Sequence, residues 1–97
     1  MTSTYRLTEA EQIAETFGVV LGAASHCEQV TEERLGAVAA KVKSVVLSRA
    51  TDDADAEAAS DRLSAAVEAG RTVVESGRID PDAAESAFSE MEQRLAT

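Results

Sequence analysis

Four times along this chain a helix-capping residue introduces a run in which apolar side chains recur three and four positions apart. That rhythm gathers them on one face of a helix, whereas a strand would alternate them every second residue. A chain of this kind must bury four stripes, and its links are too short to carry them far apart. We therefore expect an all-α fold, a compact four-helix bundle running antiparallel up-down-up-down, with helices near 8–27, 31–50, 53–76 and 80–95.

Each boundary has a local cause. Thr8 with Glu11 three positions on forms a capping box. Ala10, Ile13, Phe17, Val20, Leu21 and Ala24 carry the first stripe. Thr31 caps the second helix, Glu32 and Glu33 favour its dipole, and Val30 with Leu35 occupies the positions of a hydrophobic staple. The second stripe is Leu35, Val38, Val42, Val45 and Val46. Thr51, Asp52 or Asp53 caps the third helix, whose stripe (Ala56, Ala59, Leu63, Ala66, Val67, Gly70, Val73, Val74) is the weakest; we expect this helix to be the most exposed. Gly70 inside it costs about 1 kcal/mol relative to alanine, which calls for another backbone close by. Gly77 reads as a stop, and Asp80-Pro81 opens the last helix, with Ala84, Ala87, Phe88, Met91 and Leu95 facing inward.

Ninety-seven residues make one helical domain, 1–97, with a modest core. Eighteen acids against nine bases leave a net charge of -9, and the bases are scattered. Nucleic acid and anionic lipid are polyanionic surfaces, so we expect neither as a partner. No apolar run is long enough to span a bilayer, and Met1–Leu7 lacks the regions of a signal peptide. We expect a cytoplasmic protein; a secreted domain with its signal removed would read the same. The Ala, Arg, Val and Asp bias resembles that of proteins from GC-rich bacteria.

Chemistry finds little purchase. His26 and Cys27 are neighbours, so on a helix they point about 100° apart and cannot form a nucleophile–base pair. One His and one Cys are too few for a structural zinc site, and no Glu-x-x-His pair suits a di-iron centre. The acidic run Asp52–Glu57 lacks the glycine that a calcium loop needs at its sixth position. Acyl carrier proteins are also small, acidic and four-helical, but their Asp-Ser-Leu motif is replaced here by Val30-Thr31-Glu32-Glu33-Arg34-Leu35, so that kinship is rejected. We expect no enzyme, no metal and no cofactor.

The first helix is the place where function is expected. Ala14, Gly18, Gly22 and Ser25 form a stripe of small side chains, and its two glycines together cost about 2 kcal/mol in a helix. Close helix packing inside the monomer, a homodimer or partner face, and a ligand slot would each account for it. The segment Gly18–Ala24 is apolar on nearly every side, which calls for cover on every side. The expected function is a non-catalytic protein–protein interaction or structural module that self-associates or meets a protein partner. Its interaction face is expected at Gly18, Val19, Gly22 and His26. The alternative is a bundle that binds a small ligand between its helices.

Overall fold

The structure is a computed structural model that describes residues 7–96; the expectations that touch Met1–Arg6 and Thr97 lie outside these residues. It is a four-helix bundle of α1 (Glu9–Ala24), α2 (Glu32–Arg49), α3 (Asp53–Glu75) and α4 (Pro81–Ala96), with no strand among the described residues.

The caps form as the local sequence demands. The Thr8 hydroxyl accepts the Glu11 N–H at 3.2 Å while the Glu11 carboxylate accepts the Thr8 N–H at 3.0 Å. Thr31 caps α2 by accepting the Arg34 N–H at 3.1 Å. Of the three candidates for α3, Asp52 is the cap, accepting the Asp55 N–H at 2.8 Å. Gly77 ends α3 with φ 78°; its own N–H reaches the Val74 carbonyl and the Arg78 N–H reaches Val73, the paired bonds of a Schellman motif. The Asp80 carboxylate accepts the Asp82 N–H at 3.2 Å at the start of α4.

One boundary differs. The expected first helix runs to Cys27, but α1 ends at Ala24. The N–H groups of His26 and Cys27 bond three residues back, to Ala23 and Ala24, which tightens the chain out of the α-helical path. The Ser25 hydroxyl meanwhile donates to the Gly22 carbonyl at 2.6 Å. The tightened turn drops Cys27 and Val30 into the core and sets the Cys27 thiol 3.3 Å from the Pro81 carbonyl.

Helix α1 is the centre of the bundle and touches all three others, whereas α3 and α4 scarcely meet. The ends show how the helices lie. At the start of α1, Glu9 pairs with Arg49 at the end of α2 (3.1 Å), and Thr8 meets Asp55 at the start of α3 (2.7 Å). Arg34, early in α2, pairs with Glu92, late in α4, at 2.7 Å. Val38, Val42 and Val46 of α2 and Ala84, Phe88 and Met91 of α4 complete the core around Leu21, with Phe88 the largest fully buried side chain among the described residues. The near-complete apolar girth of Gly18–Ala24 thus finds most of its cover within the same chain.

The expectation for α3 needs a correction in kind. It buries only Asp55, Ala59, Ala66 and Gly70 of its 23 residues, yet its contact with α1 is the most extensive in the molecule. Small side chains hide little area per residue, but they let two helix backbones approach until the backbones themselves touch.

Asp55 joins the two capping sites. Its carboxylate accepts the Thr8 hydroxyl at 2.7 Å and the Thr51 N–H at 2.9 Å. The Thr51 backbone N–H and then the Thr8 hydroxyl hold the Asp55 carboxyl below its ordinary range, against burial, which pushes it up. Bonding to Arg34 lowers Glu92 in the same sense. A carboxyl lowered in the folded state contributes stability that is complete above its unfolded pKa, about 4, and lost as pH falls through the folded value. We expect the urea midpoint to drop on acidification from about pH 5 to about pH 2, and Asp55→Asn to flatten part of that slope. An equally steep slope in Asp55→Asn would remove the carboxylate from the account.

Candidate interaction face

The glycine stripe faces α3. A Cβ on Gly18 would sit 2.6 Å from the Cβ of Ala66 and 3.0 Å from the Leu63 carbonyl oxygen. At Gly22 it would run into the Val67 carbonyl oxygen, and at Gly70, from the opposite side, into that of Val19, with the Ala23 nitrogen 2.8 Å away. Three glycines therefore interlock α1 with α3, and the surface expected to meet either a partner or its own bundle is filled by its own bundle. Gly36 is the contrast: nothing lies within 4 Å of the Cβ it lacks.

Of the other two expected residues, Val19 meets the seam only through its backbone carbonyl, opposite Gly70, and His26 lies beyond it. His26 is in the turn after α1, its imidazole 3.8 Å from the Glu75 carboxylate. Val19 is half-buried on the side of α1 that turns toward the space between α3 and α4. Because those two helices scarcely meet, α1 is open to the surface there. Val19, Val20 and Ala23 floor a depression of about 320 Å³ walled by Ile79, Ala83 and Ala87, and its lining is almost wholly apolar. It continues past Val20 and Ala87 toward Phe17 and Met91, and past Val19 toward Ala65 and Ala69.

The charges at the rim of this surface are held in pairs. Arg62 lies 3.8 Å from Glu15 and 3.7 Å from the buried Glu11. Arg94 lies 3.0 Å from Glu90, one helical turn away. An apolar strip whose edge carboxylates each have an arginine beside them is thus present on a chain whose net charge is -9.

No family model, curated protein or solved structure matches this chain.

A second depression, about 320 Å³, lies at the end of α1 between His26, Cys27, Glu28, Asp82 and Glu85. Burial first, then the Glu85 and Asp82 carboxylates, push the Cys27 thiol up. A nucleophilic or metal-binding cysteine needs the opposite, a thiolate favoured by nearby positive charge. Among the described residues, no three His, Cys, Asp or Glu side chains gather as metal ligands would. No helix there is long and apolar enough to cross a membrane.

Ile79, Ala83 and Ala87 escaped the sequence reading as site residues. Ile79 stands in a link and Ala83 beside the α4 stripe, while Ala87, expected to face inward with that stripe, is exposed at its edge. Their part in the strip depends on α3 standing away from α4, which no local pattern encodes.

Proposed function

We propose that this protein is a non-catalytic interaction module that self-associates through the face of Val19, Val20, Ile79, Ala83 and Ala87. The observation that carries this reading is the exposed apolar strip left between α3 and α4 on the central helix. Apolar surface of this kind gains free energy when covered, at about 25 cal/mol per Å². The paired charges at the rim permit a second copy as the cover. Two chains of net charge -9 repel overall, least where acids are offset by bases, as they are along this strip by Arg62 between Glu15 and the buried Glu11 and by Arg94 beside Glu90. A basic partner would gain more from the acidic surfaces elsewhere. Relative to the expected face, Val19 is retained, Gly18 and Gly22 serve it by seating α3, and His26 lies outside it.

Sedimentation equilibrium tests the proposal. The expected mass is about twice the 10.2 kDa of the chain. Ala87→Glu and Ala69→Glu replace exposed alanines beside the strip, and each is expected to return the mass to that of a monomer with helical content unchanged. A native chain that remains monomeric at about 0.1 mM, a concentration at which even micromolar affinities saturate, would overturn it.

A further inference from the structure

On the opposite side of α3 the bundle has a second opening. α2 and α3 make only slight contact, because the glycine seam draws α3 onto α1. Between them is a groove of about 430 Å³ over Leu21, Ala39, Leu63 and Val67, mainly apolar in its lining. Its volume falls in the range of small-molecule sites, about 300–1,000 Å³. This groove shares no residue with the strip between α3 and α4.

Its mouth has an uncommon charge for this chain. Lys43 on α2 and Arg71 on α3 both border it, with Glu68 as the one carboxylate. Glu68 is taken by Arg71 at 3.1 Å, and among the described residues Lys43 has neither a hydrogen bond nor an ion pair, although the chain holds twice as many acids as bases. An apolar trough beside an uncompensated ammonium matches a ligand with an apolar tail and an anionic head.

We infer that the α2–α3 groove binds a single-chain carboxylate amphiphile, with the tail over Leu21, Leu63 and Val67 and the carboxylate at Lys43. The tail supplies affinity by leaving water, and the lysine sets the sign of the head group that is accepted.

The test titrates the full chain with dodecanoate, kept below its micelle-forming concentration, and follows methyl and backbone resonances by NMR. The expected result is saturable one-to-one binding with shifts centred on Leu21, Ala39, Leu63 and Val67. Shortening the tail to octanoate should weaken binding by about two- to four-fold per methylene. Dodecyltrimethylammonium, with the same tail and the opposite charge, should bind at least about ten-fold more weakly, and Lys43→Glu should weaken dodecanoate by a similar factor. Lys43 is exposed, so the variant retains the fold, which its unchanged melting temperature would verify. Any one of three results would overturn the inference: no saturation, equal binding of the cationic amphiphile, or shifts confined to the Val19–Ala87 strip. The outcome is independent of whether the chain self-associates, because the two surfaces lie on different sides of α3.

Discussion

Gly22→Ala is expected to lower the unfolding free energy by about 3 kcal/mol, and Gly70→Ala by a similar amount. The added methyl at position 22 meets the Val67 carbonyl oxygen, and the one at position 70 meets that of Val19. Neither obstacle is the end of a flexible side chain, so α1 and α3 must separate, and the small-residue seam along both helices loses contact together. Alanine's better helix propensity, about 1 kcal/mol, opposes this loss but does not outweigh it. Gly36→Ala supplies the control within the same fold. It gains the same propensity with nothing in the way and is expected to stabilise by about 1 kcal/mol. Urea unfolding followed by circular dichroism reads all three variants. Should Gly22→Ala match or exceed the native stability, the interlocked seam is wrong.

The second large effect is expected at Phe88, the largest fully buried side chain among the described residues. Phe88→Ala should cost about 3–5 kcal/mol, a large part of the 5–15 kcal/mol typical of a domain. The loss has two sources. A cavity opens where α4 packs into the core beside the valines of α2, and the Arg34 guanidinium, 5.1 Å from the ring centroid, loses the aromatic face it covers. Arg34 remains held by Glu92 and by Ser89 at 3.1 Å, so the α2–α4 contact persists in weakened form. Phe88→Leu keeps most of the volume and is expected to lose about 1.5 kcal/mol or less. Equal melting temperatures for Phe88→Ala and Phe88→Leu would show that the site does not depend on filled volume.

The stretches that read correctly from sequence share a property: their causes lie within a few residues along the chain. Thr8 and Glu11, Thr31, Gly77 and Asp80-Pro81 bond to backbone groups two to four residues away, so their chemistry is complete in a short window. The end of α1 reads less well because one of the contacts that hold the turn there is remote. Cys27 leaves the helix for a place against Pro81, fifty-four positions later. Asp55 looked like one acid in an acidic first turn, and only the meeting of α1 with α3 gives it the Thr8 hydroxyl. The candidate face was half visible for the same reason. A glycine stripe signals that a backbone comes close, and Val19 beside it signals apolar surface, but neither says which helix approaches.

By itself the sequence determined four helices, most of their caps and stops, the need for a close approach at Gly18, Gly22 and Gly70, and the acidic charge that shapes every possible encounter. Those properties follow from spacing and composition, which are local. Only the tertiary structure decided that α3, not another molecule, fills the glycine seam, and that α1 therefore becomes the central helix. The reason is geometric. Glycines at positions 18, 22 and 70 permit backbone contact in one direction only, and once α3 takes that direction it stands away from both α2 and α4, leaving one apolar opening on each side.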